Sequence, residues 1–152
     1  MYKKILAPID GSESSYDALK MALELAKVHE SEVEILHVMM YSENLPQIDS
    51  SQIKSNNPQA YVEDYIARVK KKDENMLSSA LEDARKIAPE AKVSTKLMLG
   101  EPAEEIIGEA ARGEFDLIVI GSRGMSGLKE LILGSVSHKV VNGSQVPVLV
   151  VK

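Results

Sequence analysis

The chain has 152 residues, a formal net charge of −5, 44% hydrophobic residues, few aromatics and no cysteine. That length suits one domain over residues 1–152 with a sizeable aliphatic core. The acidic balance argues against nonspecific nucleic-acid binding, the missing cysteines exclude disulfide and thiol chemistry, and no apolar run reaches the roughly 18 residues of a membrane helix. Lys3 and Lys4 precede only a short apolar run broken by Pro8 and Asp10, unlike a signal peptide. The expectation is a soluble, cytoplasmic protein.

Residues 3–9 read as a first strand, and Asp10-Gly11-Ser12 as a turn. Ser14 with Asp17 fits a capping box, and Ala18, Ala22, Leu25 and Ala26 keep helical spacing to about His29. Residues 33–39 form a second strand. Residues 42–57 are polar with little periodicity; a loop of this length is functional or mobile, and is expected near a ligand. A long helix follows over 58–88, its apolar period slipping once at Asp73. Lys70, Lys71 and Lys72 read as a solvated face. Residues 92–99 alternate as a third strand. Pro102 opens a helix whose Ile106, Ile107, Ala110 and Ala111 face the core, with Gly113 as its stop.

Leu117-Ile118-Val119-Ile120 is a continuous apolar run, as expected of a strand covered on both faces. It ends in Gly121-x2-Gly124-x9-Gly134-Ser135, with Gly127 in between. A helix is expected from Ser135 to Asn142 and a fifth strand over 146–151. The alternation of strands and helices predicts a parallel sheet with helices on both faces.

The glycine spacing is suited to anion binding. Glycines let a backbone approach a bulky group, and a helix N-terminus presents free N–H groups and a partial positive charge. The Gly121–Gly124 loop would hold one side of a polyphosphate. The N–H groups and hydroxyls of Ser135 and Ser137, with the N–H of Val136, would hold the other. Each such contact contributes about 0.3–1 kcal/mol, so several must act together. The alternative is architectural: the glycines end a strand and Ser135 caps a helix. The pattern is neither the Walker A loop nor the dinucleotide fingerprint. A phospho-receiver domain would need an aspartate ending strand three, where Leu97-Met98-Leu99 stands. A flavodoxin-type phosphate loop after strand one would be opposed by Asp10 and Glu13.

The motif resembles the ATP-binding signature of the universal stress protein family, G-x2-G-x9-G-[S/T]. The opening MYKKILAPIDGSESS and the ending VPVLVVK are similar to that family's first strand with its loop and its last strand. The likeness runs along essentially the whole chain. It implies a Rossmann-like, adenine nucleotide alpha hydrolase-like fold with strand order 3-2-1-4-5, hence a switch point between strands one and four. It further implies a site in which Pro8 and Asp10 line the nucleoside, Asp10 accepting from a hydroxyl or helping to hold a metal ion. The Val38 backbone would read the adenine edge. Ile120, Gly121, Arg123 and Gly124 would wrap ribose and phosphates, and Gly134, Ser135, Val136 and Ser137 would close on the phosphates. Arg123 either pairs with a phosphate or faces solvent, and the less favoured alternative for Asp10 is a helix-cap or turn aspartate.

The implied ligand is ATP with Mg²⁺, or AMP or another adenine nucleotide. The implied partner is a second copy, paired as a homodimer through strand 146–151, whose valines and Pro147 suit an edge. His29, His37 and His138 are scattered, and Ser126 lacks a nucleophile elbow around it. The expected function is therefore an ATP-binding stress-response or signalling module with slow hydrolysis at most. The alternatives are a nucleotide-free dimeric interaction module and, less favoured, an ATPase or phosphotransferase using Asp10.

Overall fold

The computed structural model describes residues 1–40, 57–123 and 133–152. Among the described residues nine elements alternate: β1 (Lys4–Pro8), α1 (Glu13–His29), β2 (Glu32–Met39), α2 (Pro58–Ile87), β3 (Lys92–Leu99), α3 (Pro102–Arg112), β4 (Leu117–Gly121), α4 (Ser135–Gly143) and β5 (Val148–Val151). All pairings are parallel and the sheet order is β3-β2-β1-β4-β5, as the family resemblance implies. Among the described residues no helix is long and apolar enough to cross a membrane.

The strands alternate between two cores. Ile5, Ala7, Val33, Ile35, Leu117 and Val119 pack against α1 and α2. Leu6, Leu36, Val38, Ile118 and Ile120 pack against α3 and α4. Burial on both faces explains why β4 is uninterrupted by polar residues. Asp116 staples the sheet at its lower end: its carboxylate accepts from the Lys3 and Lys4 N–H groups at 2.7 and 2.9 Å. Those two bonds hold its carboxyl below the usual carboxylate range.

Several local expectations shift. The cap of α1 is Ser12, not Ser14: its extended backbone lets the hydroxyl accept from Ser15 N–H at 3.2 Å, and Ser14 falls inside the first turn. On α3, Ala111 is exposed and Glu109 lies in the buried stripe beside Ala110. Glu109 tolerates burial because Lys96 Nζ donates to it at 2.7 Å and Arg112 at 3.4 Å. Gly113 ends α3 without a left-handed backbone (φ −84°); the left-handed residue is Glu114, at φ 53°. A Cβ at 113 would meet the Phe115 ring at 2.4 Å, so the glycine makes room for that ring. β5 begins at Val148, not at 146, because the Ser144 hydroxyl turns the chain by bonding both Val146 N–H and C=O before Pro147. Lys70, Lys71 and Lys72 are exposed, as expected of a solvated face.

Candidate functional site

The sheet opens where its strand order reverses. Pairing of β1 with β4 runs only through Ile5–Leu117 and Leu6–Ile118, although the strands continue to Pro8 and Gly121. Beyond Leu6 the two strands part, which makes a crevice at their C-terminal ends. A cavity of about 420 Å³ lies there, within the roughly 300–1,000 Å³ typical of small-molecule sites.

Pro8 and Asp10, Val38, Ile120, Gly121, Arg123, Gly134, Ser135, Val136 and Ser137 all line this cavity. Gly124, Gly127, Ser126 and the 42–57 loop, save its last residue Asn57, lie outside the described residues. Asn57 caps α2 by accepting from Gln59 N–H at 3.1 Å.

At the end of β1 the chain turns through Gly11, whose φ of +86° favours glycine. Asp10 is exposed, and its Oδ1 accepts from both the N–H and the hydroxyl of Ser12. Above it, Tyr16 has its hydroxyl pushed higher than the ordinary phenol range by burial, then by the carboxylates of Asp83 and Asp10.

On the opposite wall α4 begins. Its N-cap, Gly134, is extended (φ −69°, ψ 165°) and supplies no side-chain cap. The N–H groups of Ser135, Val136 and Ser137 are the first three of the helix and have no intrahelical acceptor. The Ser137 hydroxyl, expected to donate to a phosphate, is 3% exposed and donates instead to the carbonyls of Ser122 (3.2 Å) and Gly134 (3.0 Å). Ser122 organises this corner: its C=O accepts from Gly134 N–H at 2.6 Å and its N–H donates to Val151 C=O at 2.8 Å. One residue thus joins the end of β4, the end of β5 and the start of α4.

Gly121 has an architectural reason of its own. A Cβ there would lie 2.6–2.7 Å from Ser14, including its backbone carbonyl. The glycine lets the first turn of α1 rest on β4, and the Arg123 N–H then reaches Ser14 Oγ at 3.4 Å.

The sequence did not foretell one pair in the cavity wall. His37 on β2 and Asp73 on α2 approach to 3.2 Å (Nε2 to Oδ2), while His37 Nδ1 lies 2.8 Å from the Ile9 carbonyl. The only trace of it in the sequence is the break in the apolar period of α2 at Asp73. Among the described residues no group of three carboxylate, histidine or cysteine side chains could hold a metal. The cavity mouth offers one exposed carboxylate, Asp10, already engaged at Oδ1; it would suit Mg²⁺ only as an accessory to oxygens that a ligand brings.

Known proteins match this architecture end to end. The model of the universal stress protein family matches residues 1–152. Universal stress protein YxiE of Bacillus subtilis is 41% identical over 152 residues, covering all of both chains. Universal stress protein MJ0577 of Methanocaldococcus jannaschii is 36% identical over 164 residues, covering all of this chain and 96% of the relative. Its solved structure superposes with a TM-score of 0.76 over the same shares. A universal stress protein of Archaeoglobus fulgidus, solved in complex with dAMP, shares the fold at 23% identity and a TM-score of 0.68, covering 99% of this chain and 98% of its own. The chain belongs to the universal stress protein family.

Proposed function

We propose that this protein binds an adenine nucleotide, ATP with Mg²⁺, in the cavity between β1 and β4, and acts as a nucleotide-dependent module of a stress response. The observation that carries this reading is the uncapped N-terminus of α4 facing the cavity across from Asp10. Three adjacent N–H groups and the helix dipole favour a phosphate there. Pro8, Val38, Ile120 and Ile106 offer an apolar floor for a base. The Ser137 hydroxyl drops out of the phosphate cradle and its N–H remains. A protein of the same fold is known with dAMP bound, which makes an adenine nucleotide the first ligand to try. Hydrolysis is slow at most, because the groups at the cavity that could act as a base are already engaged: Asp10 with Ser12, and His37 with Ile9 and Asp73.

The protein acts as a homodimer through β5. The two sheet edges differ: β3 carries Lys92 and Lys96, which discourage pairing, whereas Val148–Val151 carries no charge and leaves Leu149 exposed.

Calorimetric titration of nucleotide-stripped protein with ATP and Mg²⁺ tests the reading. Saturation at one site per chain in the micromolar range, about −8 kcal/mol, is expected. No heat and no thermal shift at millimolar ATP would overturn it and leave the glycines as fold architecture.

A further inference from the structure

The β1–β2 ladder ends at Pro8–Leu36, and Ile9 N–H makes a last bond to the Leu36 carbonyl at 2.8 Å. Ile9 is 3% exposed, so its own carbonyl, now beyond the ladder, needs a partner. The imidazole of His37 supplies it at 2.8 Å. A carbonyl only accepts, so Nδ1 carries a hydrogen. The other nitrogen faces the Asp73 carboxylate at 3.2 Å. Held between the Ile9 carbonyl and the Asp73 carboxylate, the ring cannot turn without losing both contacts.

The Ile9 carbonyl and the Asp10 N–H belong to one planar peptide unit. His37 holds its oxygen end, and Ser15 Oγ lies 3.4 Å from its nitrogen end. With that plane held on both sides, the direction in which Asp10 leaves the sheet is set. Ser12 then fixes the carboxylate itself.

We propose that His37 is a positioning residue of the cavity: through the Ile9 carbonyl it aims Asp10 at the hydroxyls of a nucleotide's ribose, and Asp73 on α2 locks the ring that does so. The inference rests on the nucleotide reading above and deepens it. It makes the site selective for nucleotides with free ribose hydroxyls, through two residues of the cavity wall that act by way of Ile9 and Asp10.

The test compares the affinities of ATP and 2′,3′-dideoxy-ATP. The parent protein prefers ATP by about tenfold, the worth of a hydrogen bond to a charged acceptor. In His37→Gln the side-chain amide reaches toward Asp73 and leaves the Ile9 carbonyl unserved; the preference falls to within about twofold of none. In His37→Asn the shorter amide still reaches Ile9 in place of Nδ1, and the preference stays within about twofold of the parent's. Adding Asp10→Ala to His37→Gln produces no further loss of preference, because both act through one contact. Should His37→Gln lack a cooperative melt, Asp73→Ala takes its place, with the preference reduced about threefold. A merely structural role would weaken both nucleotides alike. An unchanged ratio in His37→Gln, or in Asp73→Ala where that serves, overturns the proposal while the nucleotide site stands. So does a parent protein that binds both nucleotides equally. A parent that binds neither overturns the nucleotide reading and this inference with it.

Discussion

Gly134→Asp separates stability from binding at one position. The backbone at 134 (φ −69°, ψ 165°) is one any residue adopts, and an N-cap in this geometry suits an aspartate. The new carboxylate would accept from the N–H groups of Val136 or Ser137, the donors assigned above to phosphate. As a cap, aspartate improves on glycine by only a few tenths of a kcal/mol, so melting rises by about 1 °C or stays level. Binding moves the other way. Two or three helix-end contacts at about 0.3–1 kcal/mol each are lost, and a fixed negative charge now sits about 4 Å from the incoming phosphates. Affinity for ATP should fall at least about 30-fold, or roughly 2 kcal/mol. Gly134→Asn is the control: it caps without charge and falls by less. Calorimetry with ATP and a thermal melt without it read both quantities on one preparation. A Gly134→Asp protein that binds ATP like its parent would refute the placement of phosphate on α4.

Three further expectations follow from the packing. Gly121→Ala must push the first turn of α1 outward by roughly 0.7 Å to relieve the contacts with Ser14. That costs about 1–3 kcal/mol, which lowers the melting temperature by about 2–10 °C and loosens Ser12 and Asp10 with it; a melt within about 1 °C of the parent would show that the close approach is not the reason for the glycine. Glu34 is raised above the usual carboxylate range by burial and then by Glu109, and its Oε1 has no hydrogen-bond partner among the described residues. The folded chain holds that proton longer than the unfolded chain, so stability is lost as pH rises from the ordinary value of 4.5 through the raised one. Glu34→Gln should thus gain on the parent across that window in urea melts, and a constant difference with pH would contradict the assignment. Leu149→Asp should convert dimers to monomers by sedimentation. It is a better test of the edge than Val148, whose side chain packs into the α3–α4 core; dimers that persist would take β5 out of the interface.

Nearly every element was legible because buried strands leave apolar runs and because glycine and proline punctuate the turns; the strand order in the sheet came from the family resemblance. What escaped the sequence depends on contacts made across it. Ser14 read as the cap of α1, and only the backbone at residue 12 and the contact of Ser14 with Gly121 move the cap to Ser12. Glu109 in an apolar stripe reads as a solvent residue until β3 brings Lys96 beside it. His37 and Asp73 lie on separate elements, and no local pattern pairs them. The motif glycines 121 and 134 line the cavity, yet Gly121 has a packing reason that spacing alone does not distinguish from a ligand reason.

The stapling of Lys3 and Lys4 by Asp116 has a consequence for synthesis on the ribosome. β1 is the central strand, and one of its two neighbours, β4, begins at Leu117. At about 5–20 residues per second, the newly made strand waits roughly 5–20 s before its second neighbour leaves the exit tunnel. Throughout that interval one flank of an entirely apolar segment, Ile5 to Pro8, stands open to other nascent chains. The fold's most protected strand in the finished molecule is its most vulnerable one at birth, and demand for a chaperone should peak before residue 117 emerges.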